Sequence, residues 1–319
     1  MPKTYLVTGG AGFIGSNLIE LLIRQNINII CVDNFDPFYA REIKEDNLKT
    51  VLTSPLFTLV EADIRNKEEM VSVFKKNTID LVIHLAAKTG VRPSIINSQE
   101  YFDVNVNGTL VLLEVMKEYN VKKMVFASSS SVYGNNEKIP YSETDNVDNP
   151  ISPYAASKKS CELLTFNFHH LYHIDVINLR FFTVYGPRQR PDLAIHKFFK
   201  SLNNNKPIDL YGDGSTSRDY TFVMDTVAGI VKATEYVLEH NDVYEVINIG
   251  NHTPVKLSVL IEMIEDTTGK KFIYNRMPLQ QGDAQITYAD ISKAQKLLDF
   301  KPATTLKTGL LEFKKWFER

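Results

Sequence analysis

Three glycines between an apolar segment and an amphipathic one constrain the fold of this chain more than any other feature. Gly9, Gly12 and Gly15 follow the short apolar run 5–7 and precede a helical pattern over 17–25. Glycines let the backbone turn tightly and approach a pyrophosphate, whose charge the N-terminus of the next helix stabilises. A tight strand–helix turn without a ligand would need the same residues. The spacing therefore predicts a strand–turn–helix unit, and a dinucleotide site if other residues support it.

The rest of the chain continues this alternation. Short β-rich apolar runs occur at 29–32, 57–60, 81–85, 124–127 and 176–182, and longer helical patterns, such as 108–119 and 154–172, lie between them. Short apolar strands that alternate with helices indicate a parallel sheet with helices on both faces. The predicted fold class is therefore α/β, a Rossmann-like doubly wound parallel sheet with a smaller, interleaved C-terminal substrate lobe.

The pattern becomes less regular after residue 185. Segments 186–191 and 212–215 are rich in loop-forming residues, whereas 224–240 is typical of a helix and 245–249 of a strand. We predict a nucleotide-binding Rossmann domain over residues 1–183, to which 224–250 returns. Residues 184–223 and 251–319 are predicted to form the substrate lobe.

The composition excludes several classes of protein. The 36 basic and 38 acidic residues give a net charge of −2, so no global field would attract nucleic acid or an anionic membrane. No apolar run approaches the roughly 20 residues of a membrane span, and no signal-peptide pattern is present. The two cysteines make a disulfide framework improbable, and no His/Cys/carboxylate cluster has metal-ligand spacing. We predict a cytoplasmic protein without a metal.

Acidic residues at two predicted strand ends support a dinucleotide site. Asp33 ends the second strand, 18 residues after Gly15, where it could bind both ribose hydroxyls and repel a 2′-phosphate, which favours NAD over NADP. Asp33 and Asn34 also suit a turn at the strand end. Asp63 closes the third strand, where an adenine could lie, although a helix cap is an equal alternative.

Tyr154 and Lys158 form the best candidate for a catalytic pair. They stand four residues apart, which places them on one face of a helix. A nearby cation favours the phenolate, so a phenol with a pKa near ~10 becomes a usable base. Ser129 ends the fifth strand, where parallel sheets bind ligands, and can lie beside the phenol.

Tyr119 and Lys123 repeat this spacing. They fall where a helix gives way to a strand, so they need not share a face. We therefore predict Tyr154, Lys158 and Ser129 as the site of hydride transfer on an alcohol.

Four motifs match one known pattern when they are taken together. They are Thr8-Gly9-Gly10-Ala11-Gly12-Phe13-Ile14-Gly15, His84-Leu85-Ala86-Ala87, the set Ser129/Tyr154/Lys158, and Arg180-Phe181-Phe182-Thr183-Val184-Tyr185-Gly186-Pro187. Over almost the whole chain, this set resembles the extended short-chain dehydrogenases/reductases, the NAD-dependent epimerase/dehydratase family. Segments 90–93, 127–134 and 186–192 most resemble the nucleotide-sugar 4-epimerases that act on UDP-glucuronate.

The resemblance implies a reaction and a cofactor site. Tyr154 would remove the proton of the sugar 4-hydroxyl while C4 gives a hydride to NAD, and the 4-keto sugar would turn before the hydride returns. Lys158 would hold the ribose and keep Tyr154 acidic, and Ser129 would bind the reacting oxygen. The implied cofactor-binding residues are Gly9, Gly12, Phe13, Ile14, Gly15, Asp33, Asn34, Asp63, Ile64, Leu85, Ala86, Ala87, Tyr154 and Lys158.

Ser130 and Ser131 distinguish epimerisation from related reactions. The 4,6-dehydratases that this chain resembles carry an Asp-Glu pair there, and UDP-glucuronate decarboxylases usually carry a Glu at the second position. Elimination and decarboxylation need an acid or base near C5 or C6, and a serine hydroxyl is a poor one. The two serines would instead offer neutral hydrogen-bond donors to a C6 carboxylate.

The remaining substrate contacts are expected in the lobe. Arg218 matches the family's diphosphate arginine, with a surface pair to Asp219 as the alternative. Arg190 is the candidate for the sugar carboxylate, because its fork suits a planar acid, with a solvated loop arginine as the alternative. Thr183 takes the place of an asparagine of the galactose-type enzymes, and Asp283 matches an acid that binds the uridine ribose.

Two departures from the family pattern leave the sugar open. Gln280 stands where many 4-epimerases have an arginine, and Thr287 is small where some carry a bulky gate against N-acetyl sugars. The predicted reaction is 4-epimerisation of UDP-glucuronate to UDP-galacturonate. The alternatives are UDP-glucose or UDP-N-acetylglucosamine 4-epimerisation, decarboxylation, 4,6-dehydration and a non-catalytic NAD-binding regulator.

By analogy with related enzymes, the chain is expected to form a homodimer, in which the predicted helices 108–119 and 154–172 would pair across a two-fold axis.

Overall fold

A seven-stranded, all-parallel sheet forms the centre of the computed structural model, which describes residues 2–278 and 285–319. Every one of the seven apolar runs predicted as a strand contributes to this sheet, and the predicted α/β class is confirmed. The strands are β1 (Thr4–Thr8), β2 (Asn28–Asp33), β3 (Phe57–Glu61), β4 (Leu81–His84), β5 (Lys123–Ser129), β6 (Asp175–Phe181), β7 (Thr183–Tyr185), β8 (Ile208–Tyr211), β9 (Ser217–Phe222), β10 (Tyr244–Ile249), β11 (Pro254–Lys256) and β12 (Tyr274–Met277).

The strand order across the large sheet is β10-β6-β5-β4-β1-β2-β3. The chain starts at β1 in the interior, moves outward to β3, then returns past β1 to β4 and continues to the other edge. The order therefore reverses between β1 and β4. Ligands of open α/β sheets bind at such a reversal, beyond the carboxyl ends of the strands.

Helices cover both faces of the sheet. They are α1 (Phe13–Arg24), α2 (Arg41–Leu48), α3 (Lys67–Lys76), α4 (Val91–Ile96), α5 (Ser98–Phe102), α6 (Gly108–Glu118), α7 (Pro153–Tyr172), α8 (Ala194–Asn203), α9 (Val223–Glu239), α10 (Leu257–Thr268), α11 (Ser292–Leu298) and α12 (Leu306–Phe317). One apolar core lies between the sheet and α1 and α9, and the other between the sheet and α3, α6 and α7. The inner strands β1, β2, β4, β5 and β6 are thus buried on both faces, which explains their continuous apolar sequences.

Two small sheets form outside the large one. Strands β11, β9 and β7 make one, and β12 and β8 make the other. Between β9 and β11, the chain returns to the large sheet through α9 and β10, and β10 pairs in parallel with β6.

No helix within residues 2–278 and 285–319 has the length and apolarity needed to cross a membrane.

Candidate active site

A cavity of about 370 Å³ opens at the carboxyl ends of the central strands. Its walls come from the glycine turn, the ends of β2 to β6, the first turns of α7 and the loop after β2. All the residues predicted to bind the cofactor line it, namely Gly9, Gly12, Phe13, Ile14, Gly15, Asp33, Asn34, Asp63, Ile64, Leu85, Ala86, Ala87, Tyr154 and Lys158. The structure thus brings the whole set to one place, while its role toward NAD stays a prediction.

The glycine turn leaves no room for side chains against the neighbouring backbone. Gly9 has a φ of 69°, and a Cβ there would lie 2.7 Å from the amide nitrogen of Ala86. A Cβ at Gly15 would lie 2.5 Å from the carbonyl oxygen of Gly9. The turn therefore packs tightly and lets the backbone form the floor of the cavity, a cradle that fits a pyrophosphate at the start of α1.

Asp33 is buried at the end of β2 and holds the loops around it. One carboxylate oxygen accepts from the Ala11 amide at 3.0 Å, and the other accepts from the Phe35 amide at 2.9 Å. The Lys44 ammonium lies 3.7 Å from the same carboxylate. Asp33 therefore does stabilise the turn at the strand end, as one interpretation of the sequence predicted. The same carboxylate also lines the cavity, so the two interpretations do not exclude each other. Lys44 had no signal in the sequence pattern.

Asp63 does not cap the helix that follows it. The cap of α3 is Asn66, whose side chain accepts from the Glu69 amide at 3.2 Å. Asp63 instead binds the Arg65 guanidinium at 2.8 Å and the Asn34 amide at 2.9 Å. The hydrogen bond from Arg65 lowers the pKa of Asp63 to about 2, so the carboxylate is ionised. The helix-cap alternative is wrong, and Asp63 lies in the cavity wall with each carboxylate oxygen already accepting two hydrogen bonds, so its contact with an adenine stays a prediction.

Helix α7 carries both members of the catalytic pair on one face. Ser152 caps it by accepting from the Ala155 amide at 3.1 Å, and Pro153 occupies its first turn. The buried Lys158 ammonium donates to the Ala127 carbonyl at 2.7 Å. Burial lowers the pKa of Lys158 to about 8.

The surroundings of Tyr154 differ in one respect from the sequence-based expectation. Burial raises the pKa of Tyr154 above its ordinary value, and a hydrogen bond with Ser129 and the charge of Arg190 offset this rise only in part. We expected Lys158 to be the cation that makes the phenol acidic. Among the described residues, the cation that lowers the pKa of Tyr154 is Arg190.

The second Tyr/Lys pair is split between two elements. Helix α6 ends at Glu118, and the Tyr119 ring packs at 5.9 Å from that of Phe74. Lys123 begins β5 and binds Asp175 at 2.7 Å. The prediction that Tyr119 and Lys123 need not share a helix face is confirmed.

The predicted sugar-binding residues are less concentrated than the cofactor set. Ser129, Thr183 and Arg190 line the cavity, whereas Ser130, Ser131 and Arg218 lie outside its walls. Ser130 and Ser131 start a short 3-10 turn, in which the Ser131 amide donates to the Ser129 hydroxyl at 3.1 Å. Asp283 and Gln280 lie outside the described residues.

The alternatives for the two arginines can be judged from their contacts. Arg190 is only 15% exposed and makes a two-point contact with Asp192 at 2.9 and 2.7 Å, so the solvated-loop alternative is wrong. Arg218 donates to the Ser217 carbonyl at 2.9 Å. Asp219 is buried and accepts three backbone N–H groups, from Asn251, His252 and Ala289, so the surface-pair alternative is also wrong.

One side of the cavity is formed by a loop that was not predicted from the sequence. Asp36, Phe38 and Tyr39, together with Lys88 after β4, line the cavity. Lys88 binds Asp36 at 3.0 Å and Glu100 at 2.7 Å, and the Arg190 guanidinium lies 5.2 Å from the centre of the Phe38 ring. The sequence signal for this loop was the aromatic pair Phe38-Tyr39, and an aromatic pair by itself does not indicate a binding site.

A parallel sheet with a glycine cradle, acids at or just after the ends of β2 and β3, and a Tyr/Lys/Ser set around one cavity defines a dinucleotide-binding protein of the Rossmann type. The comparisons with known proteins narrow this class. A sequence model of the family described as "GDP-mannose 4,6 dehydratase" matches residues 6–313. The chain belongs to the NAD-dependent epimerase/dehydratase family of extended short-chain dehydrogenases/reductases.

Similar proteins include enzymes acting on more than one sugar. A UDP-glucuronate 4-epimerase from Thermodesulfobacterium geofontis is 41% identical over 313 residues, which cover 98% of this chain and 95% of the relative. The crystal structure of the UDP-glucuronic acid 4-epimerase from Bacillus cereus with UDP-glucuronic acid and NAD has a TM-score of 0.92, 36% identity and 99% coverage of both chains. A UDP-glucose 4-epimerase from Thermotoga maritima, with UDP-glucose, has a TM-score of 0.90, 32% identity, and 99% and 98% coverage.

Proposed function

We propose that this chain is an NAD-dependent nucleotide-sugar 4-epimerase that converts UDP-glucuronate to UDP-galacturonate. The observation that carries the proposal is the composition of the cavity wall around Tyr154. Among the described residues, the carboxylates that line the cavity are Asp33, Asp36 and Asp63, which all follow β2 or β3. The catalytic side supplies hydroxyls and Arg190 instead, which suits a substrate that brings its own carboxylate.

The residues of the site divide the reaction between them. NAD, when bound, supplies an acceptor for the C4 hydride and later returns it. As the phenolate, Tyr154 would accept the proton of the 4-hydroxyl and would give it back after the sugar has turned. Ser129, which already bonds to that phenol, stabilises charge on the reacting oxygen, and Arg190 favours the phenolate. Lys158 keeps a positive charge beside the ribose because its pKa, about 8, lies above neutral pH.

The serine turn favours inversion over elimination or loss of the carboxylate. An acid/base at residue 130 or 131 would be needed to move a proton at C5 or C6, and the side chains there are hydroxyls. The family description includes dehydratases, but the Asp-Glu pair that the resemblance associates with dehydration is absent from these positions. Without such an acid/base at these positions, loss of a C6 carboxylate would not be promoted.

The decisive experiment is turnover of UDP-glucuronate, with the products resolved by NMR. The expected product is UDP-galacturonate without added NAD, because the cofactor is regenerated in each cycle. UDP-xylose as a product would replace epimerisation by decarboxylation, and turnover of UDP-glucose alone would remove the uronate assignment. No turnover of any UDP-sugar by an NAD-loaded protein would favour the non-catalytic regulator.

We also propose that the chain forms a homodimer through α6 and α7. Leu110 on α6 and Leu163 and Phe166 on α7 are exposed apolar side chains, and Phe102 is exposed before α6. Two such helix pairs would bury these side chains in a four-helix contact. Light scattering at micromolar concentration should give twice the chain mass of 36.3 kDa, and the monomer mass would contradict the dimer.

A further inference from the structure

A row of buried polar side chains runs across the sheet behind the catalytic residues. Ser128 on β5, Arg180 on β6 and Asn248 on β10 are cross-strand neighbours, and all three are buried. Glu162 from α7 meets this row. The Arg180 guanidinium donates to both of its oxygens, at 2.9 and 2.8 Å, and the Ser128 hydroxyl donates to it at 2.6 Å. A fully buried carboxylate is therefore fixed to two strands at once.

Glu162 shares its face of α7 with the catalytic pair. Tyr154, Lys158 and Glu162 recur at intervals of four residues, so they lie on one side of three successive turns. Each of them contacts the end of β5. Tyr154 bonds to Ser129, Lys158 donates to the Ala127 carbonyl, and Glu162 accepts from Ser128. The three contacts together set how far α7 is shifted along β5.

Stability alone is a weak reason for such a pair. Removing two charges from water offsets most of their attraction, and well-packed apolar residues often serve as well or better. The arrangement is also incomplete, because the Nη1 atom of Arg180 is buried and has no hydrogen-bond partner among the described residues. What an ion pair provides and apolar packing does not is one defined register, since its directional bonds fail when the helix slides.

We infer that Glu162 is a positioning residue, which together with Arg180 fixes the register of α7 on β5 and so aligns the Tyr154 phenol with Ser129. The inference rests on the proposed function, in which Tyr154 is the base. It extends that function by assigning a role to an ion pair that touches neither substrate nor cofactor. A shift of α7 by about 1 Å would leave the fold intact and yet reduce turnover on the order of 10²-fold.

Glu162 also contributes charge to the surroundings of Lys158. The titratable groups whose charges act on the Lys158 ammonium are Cys161 and Glu162 on its own helix, and the ring of His84 from β4 lies close enough for the ammonium to affect it. Burial lowers the pKa of His84 to about 3, so that ring is neutral, and β5 offers the Phe126 ring and a carbonyl. Burial lowers the pKa of Lys158, while Cys161 and Glu162 raise it. Without the Glu162 charge, the pKa of Lys158 falls further and the ammonium is lost at lower pH.

The test compares three variants of the full-length, NAD-loaded protein. Glu162→Gln removes the charge but leaves Arg180 unpaired. The double variant Glu162→Leu/Arg180→Met replaces the pair by apolar side chains of similar size, and it remains informative if the single variant does not fold. Asp175→Asn is the matched control. It breaks the Lys123–Asp175 pair, which joins β5 to β6 at the ends of the two strands that lie far from the cavity.

The readouts are kcat and KM for UDP-glucuronate, bound NAD, melting temperature and the pH profile. We expect kcat per NAD-loaded molecule to fall on the order of 10²-fold in both Glu162 variants, with KM nearly unchanged. The double variant should melt close to the wild type. In Glu162→Gln alone, the alkaline limb of the profile should move to lower pH. Asp175→Asn should melt earlier and keep the wild-type kcat.

The inference would be overturned if the double variant had both the wild-type melting temperature and the wild-type kcat. That result is expected if the Glu162–Arg180 pair only stabilises the fold. Loss of kcat in Asp175→Asn equal to that in the Glu162 variants would overturn it as well. Failure of the proposed function is recognised separately, since the wild type itself would then not convert UDP-glucuronate. Bound NAD and melting temperature can be read without any substrate.

Discussion

The cofactor side and the sugar side of the cavity differ in how their residues are held. On the cofactor side, each predicted residue sits in the glycine turn, just after a strand or in the first turns of α7, and all of them line the cavity. On the sugar side, Arg190 comes from the connection between β7 and α8, and Arg218 from the separate sheet of β9. Parallel strand ends converge because the sheet requires it, whereas connecting loops converge only through tertiary packing.

This difference predicts two kinds of mutational effect. Substitutions on the cofactor side should reduce activity toward every UDP-sugar by the same factor. Substitutions on the sugar side should discriminate between a uronate and a neutral hexose. Turnover of UDP-glucuronate and of UDP-glucose, measured side by side on the same variants, tests the comparison.

The largest loss is expected where the two sides meet, at Tyr154. Tyr154→Phe removes the group that accepts the proton and should lower kcat by about 10²- to 10⁴-fold on both substrates, with NAD still bound. Tyr119→Phe is the control with the same sequence spacing to a lysine, and it should leave kcat unchanged. Substantial activity in Tyr154→Phe would mean that another residue is the base.

A backbone change on the cofactor side should come next. Gly9→Ala adds a Cβ at 2.7 Å from the Ala86 backbone and enforces a φ of 69°. The φ strain alone costs about 1–2 kcal/mol, and the clash adds to it. The control is Gly269→Ala, with a φ of 70° and no atom within 4 Å of the new Cβ. Gly9→Ala should lose more NAD affinity and thermal stability than this control. Its turnover of UDP-glucuronate and of UDP-glucose should fall by the same factor, and a loss confined to one substrate would contradict the comparison.

On the sugar side, Arg190→Ala should act selectively. Loss of a charge-assisted contact costs about 1.5–3 kcal/mol, which is roughly 10- to 100-fold in kcat/KM for UDP-glucuronate. Because Arg190 also lowers the pKa of Tyr154, UDP-glucose turnover should fall too, but by a smaller factor, and its optimum should move to higher pH. Arg188→Ala is the control, since that guanidinium binds Glu20 at 2.8 Å. Equal losses of kcat/KM on both substrates would contradict the contact with the uronate carboxylate. Arg190 would then act only through its charge on Tyr154.

The smallest effect is expected for Asp192→Asn. Asp192 holds the Arg190 fork from a partly exposed position, and such pairs contribute roughly 0–1 kcal/mol. The uronate kcat/KM should fall by no more than about fivefold, in KM rather than in kcat. A loss as large as that of Arg190→Ala would show that the pair, rather than the arginine alone, forms the subsite.

From the sequence, the fold and the clustering of the residues on the proposed cofactor side could be predicted. On the proposed sugar side, only part of the predicted set lines the cavity. Strand ends, the glycine turn and Asp33 follow from local patterns that the parallel sheet then brings together. The sequence could not show that Arg190 rather than Lys158 lowers the pKa of Tyr154, because residues 154 and 190 meet only through packing. Ser130 and Ser131 begin a turn that leaves the cavity wall, a change of direction that a run of four serines does not reveal.

The position of β10 at the edge of the large sheet has a consequence for synthesis. The strand lies beside β6, yet it is encoded after β7, β8 and β9. A nascent chain that has emerged only to residue 183 therefore exposes β6 as an open edge, which can pair with other chains. Two fragments test this on the bench, since one ending at residue 183 should aggregate more than one ending at residue 250. The large sheet therefore cannot be completed before β7, β8 and β9, which belong to the small sheets, have been made.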